Sequence, residues 1–143
     1  MQLILWRHAD AEDGADDLAR KLTAKGRKQA EQVAAWLLKR LDTFEVVASP
    51  AVRAQQTAEA LGKKITTVKS LAPGASVSAI LKAAGWPSGE ETVVLVGHQP
   101  DLGNALAVLL TGEAADWRLQ KGALWWIGEN PPLVKAVVSP DLL

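Results

Sequence analysis

The chain has two histidines, and each lies shortly after a run of apolar residues. His8 follows the run 3–6 by two positions, and His98 follows the run 93–96 by the same interval. Short apolar runs of this kind predict buried strands, so both imidazoles are expected where a strand ends. A neutral imidazole can attack phosphorus to form a covalent intermediate, and a second imidazole can exchange protons or hydrogen bonds nearby.

Two arginines also lie at or shortly after the ends of apolar runs. Arg7 directly precedes His8, and Arg53 follows a third apolar run at residues 46–48. The planar guanidinium grips two phosphate oxygens at once and stays charged at physiological pH. Ligands of parallel sheets bind beyond the carboxyl ends of the strands, so the three segments predict one rim suited to phosphoryl transfer.

Small residues at the same rim fit an anion site. Ser49-Pro50 predicts a helix start, with Ser49 as N-cap and Pro50 in the first turn, where free N–H groups favour anions. Gly97 predicts a close approach of the backbone to a ligand. Taken singly, His98 also fits a satisfied core histidine and Arg53 a solvated helix residue. Their joint position after three strands favours function.

Strands and helices alternate along the chain. Strands are predicted at residues 3–6, 44–48, 65–68, 92–96, 123–127 and 133–138. Helices are predicted from Thr23 through the apolar stripe 30–41, from Ser49 to Gly62, over 77–84 before Gly85, and from Pro100 to near Gly112. This alternation predicts an α/β fold, a three-layer α/β/α sandwich with a mostly parallel central sheet, in a single domain spanning 1–143.

Composition narrows the classes of partner. Lys+Arg and Asp+Glu number 16 each in 143 residues, which argues against a nucleic-acid-binding surface. The absence of cysteine excludes disulfides, thiolate metal sites and a cysteine nucleophile. No apolar run reaches the roughly 20 residues of a membrane span, so no membrane contact is expected. The protein is expected to be cytoplasmic and monomeric. The acidic loop 10–17 is interpreted as a solvated connection, and the six tryptophans as packing residues.

Four segments together resemble the histidine phosphatase superfamily, also called the phosphoglycerate mutase-like superfamily. They read LILWRHADA at 3–11, RKLTAKGRKQA at 20–30, VVASPAVRAQQTA at 46–58 and VLVGHQPDL at 94–102. Each is weak alone, and their order and spacing carry the resemblance over most of residues 1–112. Within the superfamily the sequence is most similar to the short SixA-type phosphohistidine phosphatases.

The resemblance implies a role for each matching residue. His8 would be the nucleophile that becomes phosphorylated, and Arg7, Arg53 and His98 would complete the catalytic set. Arg20 matches a further arginine of the SixA branch, so all five residues would bind the substrate phosphate. The implied partner is a phosphohistidine protein or a small phosphorylated substrate, with neither metal nor cofactor.

Two features depart from the family pattern. Ala9 stands where most members have glycine after the histidine, which requires an ordinary backbone conformation there. The chain also lacks the insertion that carries the general acid in larger relatives. Alcohol leaving groups need a proton, whereas imidazole leaves more readily, so phosphohistidine is favoured. Glu12 is the first candidate for an acid, and Asp10 and Asp101 are further ones.

Three other functions remain open from the sequence. A broad small-molecule phosphomonoesterase would need an acid such as Glu12. A non-catalytic phosphate-binding regulatory module would keep the anion pocket, although retention of Arg7, His8, Arg53 and His98 argues against it. A metallohydrolase would use the two histidines with carboxylates, but adjacent arginines would repel the metal.

Overall fold

The computed structural model describes residues 1–128 and 131–143, which form a six-stranded sheet with helices on both faces. The strands are β1 (Gln2–Arg7), β2 (Glu45–Ala48), β3 (Ile65–Thr67), β4 (Thr92–Gly97), β5 (Leu124–Gly128) and β6 (Leu133–Val138). The α-helices are α1 (Ala24–Leu38), α2 (Val52–Glu59), α3 (Val77–Ala84) and α4 (Asp101–Thr111). Short 3-10 helices cover Asp17–Ala19, Lys69–Leu71 and Pro140–Leu142.

The sheet has the strand order β3-β2-β4-β1-β5-β6. Neighbouring strands from β3 to β1 are parallel, whereas β5 is antiparallel to both β1 and β6. Arg7 of β1 is aligned with Gly97 of β4, and Ala48 of β2 with Val96 of β4. The carboxyl ends of these three strands therefore meet at one edge, in the mostly parallel sheet that the sequence predicts.

Helices cover both faces because the central strands are apolar on both sides. In β1, Ile4 and Trp6 pack on the face covered by α1 and α2. Leu3 and Leu5 pack on the opposite face, under α3 and α4. All four side chains are fully buried, and burial of each large apolar side chain contributes about 1.5–3 kcal/mol. The predicted three-layer sandwich is confirmed.

Of two N-caps predicted from the sequence, one is confirmed and one is wrong. Thr23 is the N-cap of α1, and its Oγ1 accepts a hydrogen bond from the Gly26 N–H at 2.9 Å. The prediction that Ser49 caps α2 is wrong, because Ala51 occupies that position and the helix begins at Val52. The Ser49 N–H donates to the carbonyl of Val96, so Ser49 still pairs along β4 and the chain turns only afterwards.

Other differences are local. Strand ends shift by one residue in β1 to β5, and the predicted loop 10–17 runs into the 3-10 helix Asp17–Ala19. Gly97 packs against α4, because a Cβ there would lie 3.3 Å from Cδ2 of Leu102, and its role in ligand approach stays a prediction. Within the described residues, no helix has the length and apolar character needed to cross a membrane.

Candidate active site

The two histidines meet at the carboxyl edge of the sheet. His8 directly follows β1 and His98 directly follows β4. Their ring centroids are 5.2 Å apart and their planes are inclined by 55°. Both side chains are buried. The convergence predicted from the sequence is therefore observed, since parallel neighbouring strands deliver the two residues side by side.

The backbone determines which nitrogen of His8 carries the proton. Its Nδ1 lies 2.7 Å from the carbonyl oxygen of Ala9, and because a carbonyl only accepts, Nδ1 is the donor. The Ala9 N–H is itself fixed by the hydroxyl of Thr57 at 3.0 Å, and that hydroxyl donates to the Arg53 carbonyl. The lone pair of a neutral His8 is thus on Nε2, where the Nε of Arg53 approaches to 3.4 Å.

The protonation state of His8 follows from its surroundings. Burial is the main cause that lowers its pKa to about 4, and the positive charges of Arg53, Arg7 and Arg20 act in the same direction. The hydrogen bond to Ala9 opposes this shift. The imidazole is therefore neutral at physiological pH, with an unprotonated Nε2.

A serine hydroxyl orients the second histidine. Ser49 Oγ accepts a hydrogen bond from the Ala51 N–H at 3.1 Å and lies 2.7 Å from His98 Nε2. In the tautomer in which the Ser49 hydroxyl donates to Nε2, the ring proton lies on Nδ1. That Nδ1 is buried without a partner in the part of the chain that is described. Burial is the main cause that lowers the pKa of His98 to about 3, and the neighbouring His8 and Arg53 act in the same direction.

A buried donor without a partner is costly, so it indicates a place for an acceptor. His98 Nδ1 is one such donor, and the Nε of Arg7 is the other side-chain atom of this kind among the described residues. Both belong to the residues that the sequence predicts for phosphate binding. Two orphaned donors at one edge fit an anion supplied by a ligand.

Arg53 and Arg20 meet at an aspartate. Arg53 donates from Nη1 to the Asp17 carbonyl at 2.7 Å and from Nη2 to its carboxylate at 3.2 Å. Arg20 donates from Nη1 to the same carboxylate at 3.0 Å and from Nε to the carbonyl of Glu12 at 2.7 Å. The interpretation of the acidic loop as a mere solvated connection is therefore wrong at Asp17. In the sequence, only the position of Asp17 three residues before Arg20 indicates this pairing.

The segment 119–123 supports the Arg7-His8 pair, and sequence reasoning missed it. The carbonyl of Leu119 accepts from Arg7 Nη1 at 2.8 Å, and the Gly122 N–H donates to the His8 carbonyl at 3.0 Å. The Gly122 carbonyl accepts from Trp6 Nε1 at 2.9 Å. These contacts use backbone atoms, so no side-chain pattern reveals them. Gly122 has a φ of 76°, which suits glycine and closes the turn.

The carboxylates considered as acids are placed differently. Asp10 accepts from Thr23 Oγ1 at 2.8 Å and pairs with Lys121 at 3.0 Å, and these contacts lower its pKa. Asp101 accepts from the backbone N–H groups of Gly74 and Ala75, and burial raises its pKa. Both carboxylates therefore anchor loops, and neither is joined to His8 by a described contact.

Glu12 lies in an exposed loop. Its N–H donates to the Lys21 carbonyl at 2.8 Å, and its own carbonyl accepts from Arg20. Its role as an acid stays a prediction. No group of three or more His, Cys, Asp or Glu side chains in residues 1–128 and 131–143 is arranged to hold a metal ion. Beside Arg7 a cleft of about 300 Å³ opens, also lined by Gln99, Pro100 and Arg118.

The sequence matches known proteins over this same region. The model of the histidine phosphatase superfamily (branch 1) matches residues 3–73, which contain both His8 and Arg53. Phosphohistidine phosphatase SixA of Escherichia coli is 34% identical in an alignment of 124 residues that covers 79% of this chain and 76% of that protein. An uncharacterized protein of Picosynechococcus sp. is 38% identical in an alignment of 124 residues that covers 79% of this chain and 75% of that protein.

Solved structures agree with the fold. The structure of the protein histidine phosphatase SixA complexed with tungstate superposes with a TM-score of 0.87 at 26% identity, covering 99% of both chains. A phosphoserine phosphatase of Entamoeba histolytica has the same fold at 18% identity, with a TM-score of 0.75 over 99% of this chain and 98% of that one.

The six-stranded sheet with helices on both faces has the phosphoglycerate mutase-like α/β fold. The chain belongs to the histidine phosphatase superfamily, and within it to the SixA type.

Proposed function

We propose that this phosphatase removes the phosphoryl group from phosphohistidine on a partner protein, and that His8 carries the group between the two chemical steps. The observation that carries the proposal is the 2.7 Å hydrogen bond from His8 Nδ1 to the Ala9 carbonyl. It leaves the Nε2 lone pair available at the rim, on an imidazole whose pKa is about 4.

Positive charge and hydrogen-bond donors surround this nucleophile. Arg7, Arg20 and Arg53 lie close enough for their charges to lower the pKa of His8. The orphaned Nδ1 of His98 and Nε of Arg7 would each donate to a phosphoryl oxygen. Preorganised donors of this kind stabilise charge on the transferring group without reorganisation, so this set would supply the charge that a metal provides in other phosphatases.

The proposed reaction has two displacements at phosphorus. In the first, the Nε2 lone pair of His8 attacks phosphorus, the P–N bond to the substrate imidazole breaks, and that imidazole leaves. In the second, water attacks phosphorus, the P–Nε2 bond breaks and the electron pair returns to His8. A solvent proton on the second nitrogen of the substrate imidazole lets that ring leave as neutral histidine in the first step. The attacking water gives its oxygen to inorganic phosphate and returns one proton to the solvent in the second step, so atoms and charge balance.

The leaving group supports the choice of phosphohistidine. An imidazole with an unperturbed pKa of about 6.5 leaves as a neutral ring once its second nitrogen is protonated, whereas an alkoxide needs an acid. Asp10 and Asp101 are engaged in other contacts. Similarity to the phosphohistidine phosphatase SixA of E. coli points to the same substrate class.

The test compares two substrates under matched conditions. We expect kcat/KM for a phosphohistidine protein to exceed that for an alkyl phosphate by at least about a hundredfold, since general acid help typically contributes that much. Excess chelator should change neither value. Equal kcat/KM on the two substrates would contradict the proposed specificity, and loss of activity with chelator would contradict metal independence.

A further inference from the structure

Asp17 lies across two of the arginines proposed to hold the phosphoryl group. Its Oδ1 accepts from Arg20 Nη1 at 3.0 Å, and its Oδ2 accepts from Arg53 Nη2 at 3.2 Å. Each carboxylate oxygen therefore meets a different guanidinium. Phosphoryl oxygens form the same kind of charge-assisted contact with arginine. An intramolecular anion thus already makes contacts that a bound phosphoryl group would make.

The partners differ greatly in burial. The Arg53 side chain is only 5% exposed, whereas the Asp17 side chain is 56% exposed. The aspartate therefore reaches the buried guanidinium from the solvent side. If the carboxylate leaves, it returns to water at low cost, while Arg53 remains in place as a buried cation that needs a counter-charge.

The segment that carries Asp17 is weakly packed. The 3-10 helix Asp17–Ala19 has three residues, none of them buried, and Leu18 is exposed within it. It is held by the Ala19 N–H, which donates to the Asp16 carbonyl at 3.1 Å, and by Arg53 Nη1, which donates to the Asp17 carbonyl at 2.7 Å. Few buried apolar contacts oppose a shift of this segment, so its side chains can yield to a ligand.

The carboxylate also lies within the electrostatic field of the site. Its negative charge acts to raise the pKa of His98, against the larger lowering by burial. An anion placed so close to His98, Arg20 and Arg53 repels a second anion that approaches the same groups.

We propose that Asp17 is an internal competitor of the phosphoryl group: its carboxylate holds Arg20 and Arg53 in the free protein and is displaced when a phosphoryl group binds. This inference rests on the proposed function. Asp17 then weakens binding of the substrate phosphoryl group and of the inorganic phosphate product alike. Inorganic phosphate lacks the additional contacts that the substrate makes through its attached protein. The main consequence of Asp17 is therefore easier release of the phosphate product.

The test measures the dissociation constant of inorganic phosphate by titration calorimetry. Asp17→Asn keeps the shape and an acceptor oxygen but removes the charge. An exposed ion pair contributes up to about 1 kcal/mol, so we expect Asp17→Asn to bind phosphate about three- to fivefold more tightly than the wild type. The inhibition constant of phosphate in the phosphatase assay should fall by the same factor.

Asp16→Asn is the matched control. Asp16 is the neighbouring residue with the same charge, is exposed, and forms no side-chain cap on the 3-10 helix. We expect the dissociation constant of phosphate for Asp16→Asn to stay within twofold of the wild-type value. An equal tightening in Asp16→Asn would reduce the effect to general charge and overturn the competition.

Two other outcomes would also overturn the proposal. Weaker phosphate binding in Asp17→Asn would mean that the aspartate orients the arginines, and unchanged binding would mean that it does not compete. Arg53→Ala separates this failure from failure of the site itself. If Arg53→Ala binds phosphate as tightly as the wild type, both the site and the competitor are wrong; if it binds weakly while Asp17→Asn is unchanged, only the competitor is wrong.

Discussion

The Nε of Arg53 lies 3.4 Å from the Nε2 of His8, so the guanidinium faces the nitrogen that carries the lone pair. Arg53 comes from the first turn of α2 and His8 from the end of β1, 45 residues apart. A phosphoryl group on Nε2 would therefore meet the fork of Arg53. The contact therefore places Arg53 where its positive charge would neutralise a phosphoryl group carried by His8.

Replacing Arg53 with lysine should impair the phosphatase although the charge is kept. Lysine cannot reproduce the planar fork, and it loses the bonds that Arg53 makes to His8 and Asp17 together. We expect kcat/KM to fall by about a hundredfold or more, the loss of about 3 kcal/mol that removal of one transition-state donor causes. Steady-state kinetics on a phosphohistidine peptide measures this.

Arg40→Lys is the control for that substitution. Arg40 is an exposed arginine two residues after α1 ends, and its guanidinium donates to the Trp36 carbonyl. It should keep wild-type kinetics. Wild-type turnover in Arg53→Lys would mean that the guanidinium does not hold the phosphoryl group.

Replacing Ser49 with alanine should disturb His98 without removing it. The hydroxyl lies 2.7 Å from His98 Nε2, and its loss leaves that buried nitrogen unpaired, so the proton no longer stays on Nδ1. We expect kcat/KM to fall about tenfold, the value of one hydrogen bond of 1–1.5 kcal/mol.

Ser76→Ala is the matched control, because Ser76 caps α3 by accepting from the Ala79 N–H at 3.0 Å. It should reduce stability but not kcat/KM, and an equal loss of activity in both variants would contradict the tautomer argument.

How much the sequence predicts depends on how directly a residue follows a strand. His8 and His98 come at strand ends, and parallel pairing of β1 with β4 leaves little choice about where they lie. Thr23 was also predictable as a cap, because its hydroxyl acts within its own turn. Predictions succeed where the determining contacts are local or follow from strand order.

Long-range contacts of backbone atoms could not be predicted. The carbonyl of Leu119 holds Arg7 across 112 residues, and carbonyls are the same in every residue type. The pairing of Asp17 with Arg53 spans 36 residues, so only the folded chain distinguishes Asp17 from its acidic neighbours. Ser49 was misassigned for a similar reason, since pairing to Val96 keeps it extended. The single domain over residues 1–143 and the acid role of Glu12 stay predictions.

Acid should destabilise the fold through the buried histidines. The pKa of His8 is lowered to about 4 and that of His98 to about 3, from 6.5 in the unfolded chain. Below pH 6.5 the unfolded chain therefore binds more protons, so stability present above that pH is lost as the pH falls toward the folded values. Between pH 7 and 5 each histidine should cost about 2 kcal/mol, at 1.4 kcal/mol per pKa unit.

Urea unfolding at the two pH values measures this loss. Asp10 and Asp17 interfere little in this window, because their pKa values are lowered from 3.8 and their contributions are lost only at more acid pH. Burial raises the pKa of Asp101, so its protonation favours the folded state as the pH falls and acts against the loss from the histidines. His98→Gln removes one titrating ring and should reduce the loss by about half. An unchanged pH dependence in His98→Gln would show that this histidine is not buried in its neutral form.

Finally, a phosphoryl group should be trapped on His8. The Nδ1–H···O=C bond to Ala9 holds the ring with Nε2 unprotonated, and no cysteine is available as another nucleophile. Rapid quench with labelled phosphohistidine protein should give a phosphoenzyme that is stable to base and labile to acid, as expected for a P–N bond. His8→Ala should lose the label and turnover together, because the alanine side chain offers no lone pair. His98→Ala removes a proposed donor and keeps the nucleophile, so the label should persist and form at least about a hundredfold more slowly. Retention of the label in His8→Ala, with or without its loss in His98→Ala, would assign the covalent step to a different residue.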